Sequence, residues 1–424
     1  MSSAKAPPGN IFYAQSGGVT AVINASAAGL IDAAMAHPAQ FPKIYAGKNG
    51  IIGALREELI DVGLESKDEL AKLRHTPGGA FGSCRYKLKS IDDHRVQYER
   101  LIAVFKAHDI RYFFYNGGGD SQDTAYKVSQ IGAQMGYPIQ CIGVPKTIDN
   151  DLPITDTCPG FGSVAKYVAV STREASLDVA SMGATSTKVF VLEVMGRHAG
   201  WIAASAGLAC EQEGDAPHII LLPEVLLDEA RLYDRIQACV DQYGHCVIVV
   251  SEGLKNQNGD FLSAANGVDA FGHHQLGGVA PKLAGMIGDK LGLKYHWAVS
   301  DYLQRSARHI ASATDVAQAY AVGEYAIKLA LAGKSGIMPI IVREQTQPYK
   351  WSLGEAPLAM VANEEKKMPK EFISEDGFGI TQAALDYLQP LIEGEDYPPY
   401  HNGLPIIARL KLALVPQKLV PFKA

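Results

Sequence analysis

Nine short apolar runs alternate along this chain with seven longer amphipathic stretches, an order that few folds accept. The runs cover residues 11–14, 43–46, 111–115, 139–144, 188–194, 218–222, 245–250, 297–303 and 338–343. The helix-like stretches lie at 19–36, 92–108, 121–136, 161–182, 229–243, 280–291 and 315–331. Nearly continuous Val, Ile and Leu fit strands covered on both faces, and strands alternating with helices fit parallel sheets. The strands are too many for one comfortable sheet. The expected fold class is therefore α/β, with two doubly wound, mainly parallel-sheet domains of Rossmann-like build and a ligand cleft between them. The expected domains are 1–160 with 305–345, and 161–304. Residues 346–424, richer in Pro, Lys and Glu, are expected to pack on the core as an extension.

The 424 residues are 47% hydrophobic and 20% charged, which excludes wholesale disorder. Lys and Arg number 39 against 45 Asp and Glu, a net charge of −6. So mild an acidity gives no general attraction for nucleic acid or an anionic membrane, and neither is an expected partner. Anions must instead be held in a local pocket. The opening MSSAKAPPGN lacks the charged-then-apolar pattern of a signal peptide, and no apolar run approaches the ~20 residues of a membrane span. A cytoplasmic protein is expected. The six cysteines form no CxxC pair and read as reduced, buried thiols. No zinc site is expected, and the adjacent His273 and His274 read as a solvated loop.

In doubly wound folds, ligands bind where strands turn into helices. Six such junctions carry unusual residues here. The first run leads into Gln15-Ser16-Gly17-Gly18, where paired glycines allow backbone N–H groups to approach an anion; a tight turn alone would also use them. The third run leads into Asn116-Gly117-Gly118-Gly119-Asp120-Ser121. Three consecutive glycines cost backbone entropy that packing does not need, so a phosphate cradle is favoured, with Asp120 either beside it or capping the next helix. Pro145-Lys146-Thr147-Ile148-Asp149-Asn150-Asp151 sets two carboxylates two residues apart. That pattern suits a general base and magnesium, with Lys146 and Thr147 placed to hold a phosphoryl group; an Asx-turn cluster is the plain alternative. Arg197, in Glu193-Val194-Met195-Gly196-Arg197, offers a bidentate phosphate grip or an ordinary ion pair. Glu252 and Asp301-Tyr302-Leu303-Gln304-Arg305 complete the set. Gly160-Phe161-Gly162-Ser163-Val164-Ala165 matches a dinucleotide fingerprint but follows no strand, and Gly333-Lys334-Ser335 lacks the upstream glycine of a phosphate-binding loop.

In chain order, the Gly17-Gly18 turn, Gly82-Ser83-Cys84-Arg85, the segments 117–121, 145–151 and 193–197, Ser251-Glu252 and the segment 302–305 resemble the phosphofructokinase family. The resemblance implies phosphoryl transfer to the 1-hydroxyl of fructose 6-phosphate, with Mg2+. Members that use ATP carry GGDGS and PGTIDND where this chain has GGGDS and PKTIDND. Asp120 and Lys146 thus replace two glycines. A carboxylate at the first place would crowd and repel the α-phosphate of ATP, and like charges ~4 Å apart cost about 4 kcal/mol at a surface-like dielectric. The Lys146 ammonium would neutralise the phosphates of a smaller donor. The implied donor is pyrophosphate, with reversible transfer; an ATP-dependent member is the alternative.

The resemblance also distributes roles. Gly17, Gly18, Arg85, Gly118, Gly119, Asp120, Ser121 and Lys146 would bind pyrophosphate, in the domain of 1–160 and 305–345. Thr147, Asp149, Asp151, Lys188, Met195, Gly196, Arg197, Glu252, Tyr302 and Arg305 would bind fructose 6-phosphate, with 161–304 as the sugar-phosphate domain. Asp149 would take the proton from the sugar hydroxyl, and an ordinary Asp pKa of about 3.9 would keep it ionised at neutral pH. Lys146, Thr147, Asp120 and Arg85 would assist. Asp120 would hold Mg2+, with Asp149 and Asp151 as alternatives. Lys188 and His296 stand where relatives place arginines that reach across a subunit boundary, with Lys294 as a substitute, so a homodimer or homotetramer is expected.

Overall fold

The computed structural model describes residues 7–268 and 274–423. Strand β1 (Asn10–Ser16) shows why the apolar runs lack polar alternation. Phe12 and Ala14 enter one core while Ile11 and Tyr13 enter another, because successive strand residues face opposite sides. One core holds Leu101 and Phe105 of helix Arg95–Ala107. The other holds Leu30 of helix Ile23–Met35 and Val322 of helix Ala313–Leu331. The sheet is thus covered on both faces.

The remaining strands are β2 (Ile44–Gly47), β3 (Leu59–Asp61), β4 (Ser83–Cys84), β5 (Ile110–Gly117), β6 (Gln140–Pro145), β7 (Val189–Val194), β8 (Ile219–Leu221), β9 (Cys246–Ser251), β10 (Ala264–Val268), β11 (His274–Leu276), β12 (Tyr295–Val299), β13 (Ile337–Gln345), β14 (Lys350–Pro357), β15 (Tyr400–His401) and β16 (Leu404–Pro405). The larger sheet runs β14-β13-β6-β5-β1-β2-β3, with β4 also on β1. Phe12 lies opposite Tyr45 of β2 on one side and Phe113 of β5 on the other, both in parallel register. Winding therefore reverses at β1, and the crevice outside the carboxyl ends of β1 and β5 is where such a sheet offers a ligand site. The smaller sheet runs β12-β7-β9-β8, entirely parallel. Two mainly parallel sheets with helices on their faces make the expected α/β class.

The chain then returns. Helix Ala313–Leu331 lies against helix Ile23–Met35 where Gly29 meets the Tyr320 carbonyl and Gly323 the Ser26 carbonyl, with no room for a Cβ at either. From there β13 joins β6 in parallel, and β14 folds back antiparallel along it from Ile337 opposite Pro357 to Gln345 opposite Lys350. Neither β14 nor the short β3 and β4 was expected.

Two other expectations need correction. The run 297–303 is not one strand: β12 stops at Val299, the Ser300 N–H bonds the Glu193 carbonyl (3.0 Å), and helix Asp301–Ser306 begins. Tyr302 and Leu303 are 62% and 65% exposed on that helix, so apolar residues on a surface helix imitated a buried strand. Cys210 is exposed rather than buried, and Cys84 is half-buried. His273 lies outside the described residues.

Candidate active site

The carboxyl ends of both sheets open on one cavity of about 1220 Å3. Its first wall is mostly backbone. β1 ends at Ser16, and Gly17 takes a left-handed φ of +72°, donating its N–H to the Cys84 carbonyl (2.9 Å) and accepting the Ser83 hydroxyl (2.8 Å). β5 ends at Gly117, Gly118 precedes helix Gly119–Gln134, and that helix directs its N-terminal turn at the cavity. A Cβ on Gly119 would meet nothing within 4 Å, so the glycine borders open space. Exposed first-turn N–H groups beside an empty volume suit an anion. Asp120 does not cap this helix: it sits in the first turn, and its carboxylate pairs with Lys87 at 2.6 Å. That pairing reduces the charge repulsion against a nucleotide inferred above and leaves bulk as the larger obstacle.

Lys146 leaves β6 and turns back to donate to the Gly18 carbonyl at 2.6 Å, with 4% of the residue exposed. Burial pushes its ammonium down to about 8, opposed by Asp149 and Asp151 and assisted by Arg305 and Arg85. A Cβ on Gly18 would lie 2.7 Å from Arg305 Nη1 and 3.9 Å from Arg85 Nη2, so two arginines converge with Lys146 on this turn. Arg305 also lies over the Tyr302 ring, 3.9 Å from its centre.

Between the walls runs the segment after β6. The Thr147 hydroxyl accepts the Asp149 N–H (3.0 Å) and lies 3.5 Å from Asp149 Oδ2. Asp149 is not an ordinary carboxylate. Burial, then Asp151 and Glu252, push it up to about 7, against the pull of Lys146 and Thr147. Asp151 is raised as well, mainly by burial. The expectation of a fully ionised Asp149 failed because spacing says nothing of desolvation.

The second wall is built of side chains. Glu252 follows β9 and accepts the Gly196 N–H (3.4 Å); burial raises its pKa, and the Arg197 charge opposes that rise. Met195 donates its N–H to Gln304 (3.2 Å). Glu193 accepts the N–H groups of Gly278 (3.1 Å) and Ala280 (2.8 Å) at the start of helix Val279–Leu291.

The cavity thus gathers Gly17, Gly18, Arg85, Gly118, Gly119, Asp120, Ser121, Lys146, Thr147, Asp149, Asp151, Met195, Arg197, Glu252, Tyr302 and Arg305. Gly196 stands behind it, with φ +131°. Lys188 is not brought to this cavity: it precedes β7 at the amino end of the strand, where its ammonium bonds the Gly183 carbonyl. The misplaced dinucleotide fingerprint is closed, since Asp315 takes the N–H groups of Gly160 and Ser163, both at 2.9 Å. Sequence reasoning missed Lys87 and the residues Asn363, Glu364, Glu365 and Lys367, which also line the cavity. Lys87 is two residues past Arg85 in an extended stretch; the others carried no motif.

Among the described residues no cluster of three or more His, Cys, Asp or Glu side chains could hold a metal. Mg2+ at a phosphate site needs only one or two carboxylates plus substrate oxygens. Asp151 Oδ1 is buried without a hydrogen-bond partner beside Asp149, and a carboxylate oxygen left so fits a cation.

A family model described as phosphofructokinase matches residues 10–330. The chain belongs to the phosphofructokinase family. Within it, the chain is 65% identical to the pyrophosphate--fructose 6-phosphate 1-phosphotransferase of Halomonas elongata, over 98% of this chain and 99% of that one. It is 61% identical to the protein of the same name from Methylococcus capsulatus, over 97% and 98%. A crystal structure of a pyrophosphate-dependent phosphofructokinase from Marinobacter aquaeolei superposes with a TM-score of 0.91 at 62% identity, covering 98% of this chain and 100% of that one.

Proposed function

We propose that this phosphofructokinase transfers a phosphoryl group reversibly from pyrophosphate to the 1-hydroxyl of fructose 6-phosphate, giving fructose 1,6-bisphosphate and phosphate. The observation that carries the reading is Lys146, whose ammonium fills the Gly17-Gly18 turn at 2.6 Å from the Gly18 carbonyl. With Asp120 and Lys87 paired across the glycine loop, it leaves room and charge for two phosphates more readily than for a nucleotide. The relatives named for pyrophosphate, at 61% and 65% identity, support that donor over ATP.

Phosphoryl transfer needs alignment and charge neutralisation more than covalent chemistry. The backbone at Gly17, Gly18, Gly118 and Gly119, with Arg85, Ser121 and Lys146, holds the donor. Arg197, Glu252, Met195 and Gly196 orient the sugar phosphate, with Tyr302 and Arg305 between the two. Asp149 accepts the hydroxyl proton, and a base titrating near 7 is well matched to that task. Thr147 fixes its carboxylate. Asp120 would hold Mg2+, with Asp149 or Asp151 as the alternative ligand, and the ion when bound would offset charge on the phosphoryl oxygens. In this reading residues 1–160 and 305–345 serve the donor, 161–304 the sugar phosphate, and Lys188 faces a second subunit of a cytoplasmic homodimer or homotetramer. Among the described residues no helix is long and apolar enough to cross a membrane.

Initial rates with fructose 6-phosphate and either pyrophosphate or ATP decide the matter. Turnover with pyrophosphate alone is expected. Turnover with ATP alone would overturn the donor assignment.

A further inference from the structure

Residues 363–367, far along the chain from every strand-end motif, cross the cavity and tie its walls together. At one end Asn363 Nδ2 donates to Asp123 Oδ1 (3.2 Å) on helix Gly119–Gln134. Towards the other end Glu365 meets His198 at 3.2 Å, just past Arg197. Next to Glu365, Lys366 turns its ammonium inward. Its three acceptors all belong to the loop that follows Asp149: Asn150 Oδ1 (3.1 Å), the Thr155 carbonyl (3.1 Å) and the Asp156 carbonyl (2.8 Å). Its backbone N–H donates to the Asp151 carbonyl (2.6 Å), and its own carbonyl accepts Trp201 Nε1 (3.2 Å).

That loop needs outside support. Asn150 takes a left-handed φ of +54°, a conformation Asn reaches more readily than other non-glycine residues and that its side-chain bonds hold here. Its side chain is fixed on both ends, Oδ1 by the Cys158 N–H (3.1 Å) and the Lys366 ammonium, Nδ2 on the Tyr387 hydroxyl (3.0 Å). Burial works against the Lys366 charge and lowers its pKa. A buried cation is weak evidence of stability, because an apolar residue often serves as well. Placing one under the loop that follows the base, with all three ammonium bonds directed at that loop, points to geometry as its purpose.

We propose that Lys366 is a positioning residue for phosphoryl transfer: it fixes Asn150 and the Asp151 backbone, and through them the direction of the Asp149 carboxylate, without touching substrate. This rests on the assignment of Asp149 as base. A merely structural lysine would lower stability and leave the turnover of folded enzyme intact. Lys366 should do the reverse.

The test is steady-state kinetics of the full chain with pyrophosphate and fructose 6-phosphate, on protein shown folded by circular dichroism. Lys366→Met is expected to lower kcat by about 30-fold or more while both KM values stay within about threefold. In Lys366→Ala, millimolar ethylammonium is expected to restore part of kcat, since it refills the site with a cation. Should Lys366→Met be insoluble, Lys366→Gln keeps a donor without the charge and is read in the same way. A folded variant with kcat within twofold of wild type overturns the proposal, and so does a rise confined to KM. Wild-type enzyme inactive with pyrophosphate would instead overturn the proposed function, so the two failures are distinguishable.

Discussion

The two walls of the cavity face anions by different means. At the Gly17-Gly18 and Gly118-Gly119 turns the polar surface is largely main chain, set by where β1 and β5 end, with the deeply buried Lys146 among it. At the opposite wall it is side chains: Arg197, together with Glu252 and Glu193, which accept neighbouring backbone N–H groups. A main-chain cradle selects by size, because its donors cannot swing away. A side-chain wall selects by stereochemistry and can be retuned one residue at a time. Donor choice should therefore depend on what fills the first wall, and sugar affinity on single groups of the second.

The base between the walls should give the largest effect. Asp149→Ala is expected to lower kcat at least ~100-fold with little change in KM, read from steady-state rates; near-normal turnover would remove Asp149 from its role. Next is the filling of the first wall. Asp120→Gly with Lys146→Gly should admit ATP, seen by calorimetry as binding tightened by about 100-fold. No binding would refute the account of donor choice by bulk and charge. On the second wall, Glu252→Gln should raise the KM for fructose 6-phosphate about tenfold and leave that for pyrophosphate unchanged, since it weakens charge-assisted bonds on one side only. An equal rise in both would dissolve the distinction between the walls.

The same variant has a pH signature. Asp149 is raised to about 7, so it loses its capacity as base when pH falls through that value, and kcat/KM for wild type should decline on the acid side near 7. The Glu252 charge contributes to that rise. Removing it should move the acid limb to lower pH, and a shift upward would contradict the pairing. The smallest effect is expected at Lys87. Its ion pair with Asp120 is half-exposed, so Lys87→Met should weaken pyrophosphate binding only about threefold and should not admit ATP, because the carboxylate bulk remains.

The junctions were legible because they violate local rules. Three glycines in a row after a buried strand, and two carboxylates across one residue, have few reasons to exist outside a site. β1, β8 and β9 were legible because their apolar runs are uninterrupted. The segment 297–303 misled because apolar residues stand on both sides of Ser300-Asp301, and the last of them, Tyr302 and Leu303, lie on a surface helix. Residues 363–367 could not be read at all, since nothing in their sequence announces that Lys366 turns under Asn150. The raised Asp149 carboxyl was only partly announced: its neighbour Asp151 was in view, but burial, the largest cause, and Glu252, more than one hundred positions away, were not. Main-chain shape leaves a local trace, whereas electrostatic environment is assembled by the whole tertiary structure.

The late arrival of β13 beside β6 has a consequence for synthesis. Until residue 345 has left the ribosome, β6 offers an unsatisfied edge next to the future site, because its parallel neighbour has yet to be made. A nascent or truncated chain ending before that strand exposes a hydrogen-bonding border of apolar residues, the kind that invites self-association. Production of this protein should accordingly depend on folding helpers during translation far more than refolding of the finished chain does.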